Sequence, residues 1–183
     1  MNENDLIKKS KFLSLILRHK PEEIDIELDK NGWTSVADLL YATHWSISDL
    51  DEVVEKNNKK RFEYNDNKTM IRACQGHSVN VDLNLPPSNP PSILYHGTST
   101  RFLKSIFKNG IIAKGRNLVH LSEDFDTAIQ VGSRHGHPIV LLIMASDMDK
   151  DGYTFCLSNN GVWLTKEVPV KYFKINRSNI WQA

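Results

Sequence analysis

The chain has 183 residues, of which 40% are hydrophobic and 25% are charged, and its formal net charge is +1. These values are ordinary for a soluble globular protein, and the charge alone does not indicate a nucleic-acid binder. No long apolar span, signal-peptide pattern or paired cysteine spacing is present, which argues against a membrane, secreted or redox protein. We therefore expect a cytoplasmic monomer in which any anion site is built locally.

The first predicted element is an amphipathic helix over residues 5–19. The residue before a proline disfavours helical angles, so Pro21 predicts that the helix stops near His19 or Lys20. Arg18 and His19 then stand at a helix C-terminus, where partial negative charge favours cations. The pair is compatible with helix capping or with a binding site.

Two further helices and a hairpin are predicted before residue 76. Ser35 and Ser46 are each followed three residues later by an aspartate, which is the pattern of a helix start. Residues 61–75 predict two short strands joined across an Asn-Asp-Asn turn. Three helices followed by a hairpin are typical of a winged helix, a fold found both in nucleic-acid-binding and in protein-contact modules.

A proline-rich segment divides the chain. Residues 83–92 read LNLPPSNPPS, a composition that excludes a regular core element and predicts an extended connection. We place the linker at 85–92, between a first lobe over 1–84 and a second lobe over 93–183. Both lengths lie in the range of small domains.

The second lobe is predicted to be rich in strands. Six short runs of β-branched and aromatic residues are each followed by turn-forming residues: 93–98, 117–122, 138–145, 153–158, 161–165 and 170–175. Helices are predicted over 100–110, ending at Asn109-Gly110, and over 122–132, with Ser122 as the N-cap. The fold class expected for the whole chain is α+β.

Polar residues on two of these strands form a candidate site. His96 and His120 lie in similar strand settings, Gly97 permits close approach of a ligand, and Thr98 and Ser122 carry hydroxyl groups. One strand histidine is usually structural, but the pair favours a binding site.

Clustered cations form further candidates. Arg116 precedes a strand, and Arg134 lies with His135 and His137 in a glycine-containing loop. His-x-His alone is not a metal motif, so an anion is the ligand that this loop fits. In the first lobe, the basic run ending at Arg61 and the segment MIRACQGHS suggest a second anion-binding surface. The sequence has no Walker, dinucleotide, nucleophile-elbow or zincin motif, which removes the commonest hydrolase and kinase interpretations.

Eight stretches stand in order from about Leu6 to Tyr172: LSLILRHKP, KNGWTSVADLL, KKRF, IRACQGHS, LYHGT, GRNLVHLS, RHGHPIVL and NGVWLTKEVP. As a set they resemble the RNA 2′-phosphotransferase family, whose best-known members act on spliced tRNA. The resemblance implies an N-terminal winged-helix lobe for RNA and a C-terminal lobe similar to the ADP-ribosyltransferase fold. NAD would be held as co-substrate in the second lobe, with the RNA phosphate clamped between the two, and no metal is expected.

The resemblance also implies roles for individual residues. The residues that match the family's catalytic motif are Arg18, His19, Arg61 and Arg116. The residues that would bind NAD are His96, Gly97, Thr98, His120, Ser122 and Arg134. In the implied reaction the internal 2′-phosphate of the RNA attacks the nicotinamide-bearing ribose carbon of NAD and releases nicotinamide. The neighbouring ribose 2″-hydroxyl then attacks phosphorus, giving RNA with a free 2′-hydroxyl and ADP-ribose 1″,2″-cyclic phosphate.

Two other interpretations stay open. The same fold would act on a different acceptor, such as a terminal phosphate or a protein side chain, although an acceptor without an ionised phosphate needs a catalytic carboxylate that no motif supplies. A non-catalytic winged-helix protein that binds nucleic acid would show binding that NAD does not change. The physiological RNA does not follow from the residues.

Overall fold

A computed structural model describes residues 1–57 and 59–176. They form helices and small antiparallel sheets, so the predicted α+β class is confirmed. The chain divides into a first unit over Met1–Asn84 and a second unit that begins at Leu85. No helix in the described part of the chain is long and apolar enough to cross a membrane.

The described residues contain short, regular elements in both units. The helices are α1 (Glu3–Arg18), α2 (Val36–Thr43), α3 (Ile47–Glu55), α4 (Leu103–Asn109), α5 (Phe125–Ser133) and α6 (Ala145–Lys150). The strands are β1 (Thr34–Ser35), β2 (Phe62–Tyr64), β3 (Met70–Ala73), β4 (Leu94–Ser99), β5 (Ile111–Ile112), β6 (Val119–Leu121), β7 (Pro138–Ile143), β8 (Phe155–Leu157), β9 (Trp163–Thr165), β10 (Glu167–Val168) and β11 (Phe173–Ile175).

The first unit packs its helices on a three-stranded sheet of order β1-β3-β2. Leu13, Ile16 and Leu17 of α1 are fully buried in one apolar cluster with Leu50 of α3 and Ile71 of β3. Their spacing places these α1 side chains on one face of the helix, which fixes where the helix ends relative to the sheet. Arg18 is therefore the last helical residue at a set position.

Local capping signals define the helices of this unit as the sequence predicts. The Ser35 side chain accepts a hydrogen bond from the Asp38 N–H at 3.2 Å, and Ser46 and Asp49 form a reciprocal capping box. The predicted hairpin is the antiparallel pair β2 and β3, in which Phe62 lies opposite Ala73.

The second unit contains two three-stranded sheets and a shorter pair. Their orders are β11-β7-β4, β6-β9-β8 and β10-β5. The two larger sheets meet where Tyr95 of β4 and Ser122, just after β6, exchange backbone hydrogen bonds of 2.8 and 2.9 Å. This contact brings the strands that carry His96 and His120 side by side.

Three details differ from or add to the sequence prediction. Ser122 is not the N-cap of α5, because the Asp124 carboxylate accepts the Thr127 N–H at 2.7 Å, so that prediction is wrong. Helix α6 was not predicted; it follows directly from the apolar run of β7. The proline-rich segment contains no helix or strand, and part of it lies against β8, where the Ser88 N–H donates to the Phe155 carbonyl at 2.8 Å.

Candidate active site

The end of α1 is held by the loop that follows β3. The Arg18 carbonyl accepts the N–H groups of Ser78 at 2.9 Å and Val79 at 3.3 Å. Gly76, at a φ of +92°, lies on the Arg18 guanidinium: a Cβ there would be 3.4 Å from Nη1. Arg18 is only 8% exposed, and these bonds to its carbonyl hold the helix end that carries it.

The same loop orients His19. Its Nδ1 lies 2.9 Å from the Ser78 hydroxyl. The backbone N–H of Ser78 donates to the carbonyl of the neighbouring Arg18. Because this contact uses Nδ1, a phosphate would meet the ring through Nε2. The arrangement answers why an arginine and a histidine end the helix: both are built into a defined surface.

Arg61 precedes β2 and is linked to the same loop. The Cys74 N–H donates to the Arg61 carbonyl at 2.9 Å, and Cys74 stands two residues before Gly76. The Arg61 guanidinium donates through Nη1 to Asn57 Oδ1 at 3.1 Å. The segment from Cys74 to Ser78 therefore contacts all three residues predicted for catalysis in this lobe: the backbone of Arg18 and of Arg61, and the side chain of His19.

Arg72, by contrast, stabilises the first unit. It donates to the Glu63 carboxylate at 2.6 Å and to the carbonyls of Asn31 and Leu83, and its guanidinium lies 4.4 Å from the Trp33 ring centroid. With its donors used in this way, Arg72 ties the hairpin to two loops. These contacts give Arg72 a structural role in the first unit.

His77 is buried beneath these cations with 3% of its surface exposed. Burial, and then the charges of Arg18, His19 and Arg72, lower its pKa to about 4. The imidazole is therefore neutral at physiological pH, and it adds no further positive charge below the two residues at the helix end.

This shift predicts a specific loss of stability in acid. With an ordinary pKa near 6.5 in the unfolded chain, His77 binds a proton there between about pH 6.5 and 4 while the folded protein does not. The free energy of unfolding therefore falls through that window, by on the order of 3 kcal/mol from this group. Urea titrations at pH 7.5 and 4 should show a smaller loss for His77→Gln than for wild type. The exposed His44→Asn variant is the control, and equal losses in His77→Gln and wild type would contradict the assignment.

In the second unit, His96 and His120 are joined by a hydrogen bond. His96 Nδ1 lies 3.2 Å from the His120 carbonyl, which only accepts, so Nδ1 carries the proton. Burial lowers the pKa of His96, and this backbone bond opposes the shift only in part. A neutral ring with a protonated Nδ1 presents Nε2 as an acceptor, which suits a ribose hydroxyl.

Gly97 has a structural reason to be glycine. A Cβ at this position would overlap the Ala128 carbonyl oxygen and lie 3.0 Å from the Gly132 nitrogen of α5. Gly132 faces the same contact from the helix side, since a Cβ there would be 2.5 Å from the Thr98 carbonyl. The close packing of β4 against α5 therefore needs both glycines and buries Thr98.

Ser122 uses its hydroxyl within its own turn. The hydroxyl donates to the Asp124 carbonyl at 2.9 Å and accepts the Asp124 N–H at 3.0 Å. This geometry fixes the chain between β6 and α5 and places Ser122 beside Tyr95, one residue from His96. Four of the proposed NAD-binding residues thus lie on adjoining strands, with Ser122 immediately after the second strand.

Arg116 and Arg134 are the two arginines of the second unit predicted to bind phosphate groups. Arg116 is in the segment between β5 and β6, and Arg134 is the C-cap residue of α5. Desolvation by surrounding atoms, and then the charge of Arg134, lower the pKa of Arg116. A partly desolvated guanidinium that also feels a like charge is a candidate ligand for an anion. Within residues 1–57 and 59–176, no cluster of three histidine, cysteine or acidic side chains is suited to a metal ion.

Asn57 and Gly76 were not singled out from the sequence. Gly76 falls in a stretch used for the resemblance, but its contact with Arg18 depends on a fold that brings residues 18 and 76 together. Asn57 gave no local signal beyond a turn-forming residue. Their parts in the site follow from tertiary contacts alone.

Comparison with known proteins assigns the chain. Residues 4–167 match the family model described as RNA 2'-phosphotransferase, Tpt1 / KptA family. Three relatives are each named "Probable RNA 2'-phosphotransferase". The protein of Flavobacterium johnsoniae is 50% identical over 179 residues, covering 95% of this chain and 98% of the relative. Those of Acaryochloris marina and Shigella boydii are 51% and 46% identical, covering 90% and 94% of this chain and 93% and 97% of the relatives.

These matches extend over both units and place the chain among the transferases. It belongs to the RNA 2'-phosphotransferase, Tpt1 / KptA family. The resemblance drawn from eight short stretches is confirmed.

Proposed function

We propose that this chain is an NAD-dependent RNA 2′-phosphotransferase, acting as a monomer in the cytoplasm on an internal 2′-phosphate such as a tRNA splice junction carries. The observation that carries the proposal is the set of arginine and histidine side chains at the end of α1 and beside it, in a chain that belongs to this family. The two arginines and the histidine of this set, Arg18, Arg61 and His19, suit a reaction whose charge develops on phosphorus.

In this proposal the first unit binds RNA and the second binds NAD. The first unit, with three helices and the sheet β1-β3-β2, supports a winged-helix RNA-binding lobe over 1–84. The second, over 93–183 after the segment 85–92, supports an NAD-binding lobe similar to the ADP-ribosyltransferase fold. In that lobe His96 and His120 would face the NAD ribose, while Arg134 and Arg116 would hold phosphate oxygens.

The two steps of the proposed reaction differ in their need for positively charged side chains. A phosphate monoester is already ionised at neutral pH, so attack on the ribose carbon of NAD needs no general base. As that bond forms, the bond to nicotinamide breaks and ADP-ribosylated RNA results. The 2″-hydroxyl then attacks phosphorus, and the RNA 2′-oxygen leaves with a proton. Arg18, His19, Arg61 and Arg116 would stabilise the charge that this second attack places on the phosphoryl oxygens.

Release of nicotinamide tests the proposal directly. The protein should release nicotinamide from NAD only when the RNA carries a 2′-phosphate, and one equivalent should appear per phosphate removed. The same RNA with a free 2′-hydroxyl is the control. Release that is independent of the 2′-phosphate would contradict the proposal and favour a different acceptor.

His96→Ala should weaken the binding of NAD much more than the binding of RNA. Loss of one well-placed polar contact to the NAD ribose costs about 1–3 kcal/mol, so we expect NAD binding to weaken roughly 5- to 150-fold. The affinity for 2′-phosphorylated RNA should change less than twofold, because the cations of the first unit are untouched. Calorimetric titration with each ligand measures both, and equal losses would contradict the assignment of NAD to the second lobe.

A further inference from the structure

Asn57 lies buried between α1 and the chain leading into β2, with 7% of its surface exposed. Its side chain makes three hydrogen bonds. Nδ2 donates to the Ser10 hydroxyl of α1 at 2.8 Å, and Oδ1 accepts the Lys59 N–H at 3.1 Å and Arg61 Nη1 at 3.1 Å. One amide thus joins α1, a turn and the guanidinium of Arg61.

The orientation of this amide is fixed by its neighbours. A backbone N–H and a guanidinium only donate, so the atom facing Lys59 and Arg61 has to be the oxygen. The nitrogen is then directed at the Ser10 hydroxyl, which accepts. A flipped amide would set donors against donors on one side, so a single arrangement satisfies all three contacts.

We propose that Asn57 is a positioning residue, which directs the Arg61 guanidinium toward the 2′-phosphate of the RNA. The proposal deepens the proposed function and rests on it. A free arginine side chain has several rotatable bonds, and fixing them when a substrate binds costs conformational entropy. Because the buried Asn57 amide holds Nη1 already in the folded protein, Arg61 loses less conformational entropy when the substrate binds.

The neutral charge of Asn57 matters to this role. Arg72 of the same unit is held by the Glu63 carboxylate, which matches its charge and makes it structural. The Asn57 oxygen orients Arg61 without adding a negative charge that would repel a phosphate. An aspartate would keep the shape and the acceptor but place a carboxylate beside the phosphate-binding cation.

A double-mutant cycle tests whether Asn57 acts through Arg61. Wild type, Asn57→Ala, Arg61→Ala and the double variant are mixed with NAD and an RNA bearing one labelled internal 2′-phosphate, and the decay of ADP-ribosylated RNA is followed. We expect Asn57→Ala to slow this second step about 10- to 100-fold when Arg61 is present and less than twofold when it is absent. No slowing, or equal slowing in both backgrounds, would overturn the proposal.

A binding cycle keeps this test separate from that of the proposed function. Without NAD, the same four proteins are titrated with RNA that has or lacks the 2′-phosphate, and Asn57→Ala should reduce the preference for phosphate only while Arg61 is present. If wild type binds 2′-phosphorylated RNA preferentially but transfers nothing to NAD, the proposed function fails and this cycle still decides the role of Asn57. Wild type that binds both RNAs equally would overturn the role of Asn57 in phosphate recognition, while phosphate-dependent release of nicotinamide still decides the proposed function.

Two further variants separate positioning from folding. Asn57→Asp preserves the shape of a buried residue; we expect it to fold with a melting temperature near that of wild type and to lose several-fold in phosphate preference. Asn65→Ala removes a comparable set of side-chain hydrogen bonds in the hairpin turn of the same unit and should leave the second step unchanged. An Asn57→Asp protein with wild-type phosphate preference, or an Asn65→Ala protein as slow as Asn57→Ala, would overturn the proposal.

Discussion

Arg61→Ala should block the reaction after its first step, so that ADP-ribosylated RNA accumulates. The first step uses a phosphate that is already nucleophilic, whereas the second places new charge on phosphorus that a guanidinium stabilises. Removing one donor of this kind costs about 3–4 kcal/mol, so the second step should slow about 10²- to 10³-fold. Gel separation of labelled RNA species over time measures the two steps independently.

Two companion variants make the Arg61 result specific. Arg61→Lys restores the charge but not the planar pair of donors, and it should recover only part of the lost rate. Lys8→Ala removes one exposed positive charge from α1 of the same unit and should leave the ratio of products unchanged. Unchanged product ratios in Arg61→Ala would contradict the role proposed for this side chain.

Gly97→Ala should strongly destabilise the second unit. The added Cβ would overlap the Ala128 carbonyl, and because this is backbone in a packed helix, no rotamer change relieves the overlap. Overpacking of this kind costs about 3 kcal/mol or more, a large share of the stability of a small domain. Thermal unfolding followed by circular dichroism should show a strongly lowered transition for this unit.

Gly152→Ala is the matched control for Gly97→Ala. Gly152 has a φ of +91° and open space around its Cβ position, so alanine there meets backbone strain alone, about 1–2 kcal/mol. If the two variants melted together, the close contact between β4 and α5 would not be what requires glycine at position 97.

The sequence predicted helix ends well where they depend on residues close together in the chain. Ser35 and Ser46 act within three residues, so the capping pattern was sufficient to start both helices. Pro21 likewise ended α1 close to the expected residue. The start of α5 was missed because Ser122 and Asp124 are both good N-caps two residues apart, and only the turn geometry selects Asp124.

Contacts in the site between residues far apart in the chain could not be predicted from the sequence. Glycine at position 97 suggested ligand approach, but its packing against Ala128, 31 positions further along the chain, is visible only in the fold. Arg72 and Arg61 look alike in sequence, yet one donates to a carboxylate and the other to a buried amide. Whether an arginine is structural or belongs to the site therefore depends on its hydrogen-bond partner, which the sequence alone does not specify.

The central claim is that the 2′-phosphate is transferred from RNA to NAD, and the fate of that phosphate tests it most directly. The purified protein is incubated, with and without NAD, with a short RNA carrying one internal 2′-phosphate labelled with ³²P. We predict that the label moves to ADP-ribose 1″,2″-cyclic phosphate only when NAD is present, leaving RNA with a free 2′-hydroxyl. Label that stays on intact RNA under both conditions, or leaves as inorganic phosphate without NAD, would contradict this account.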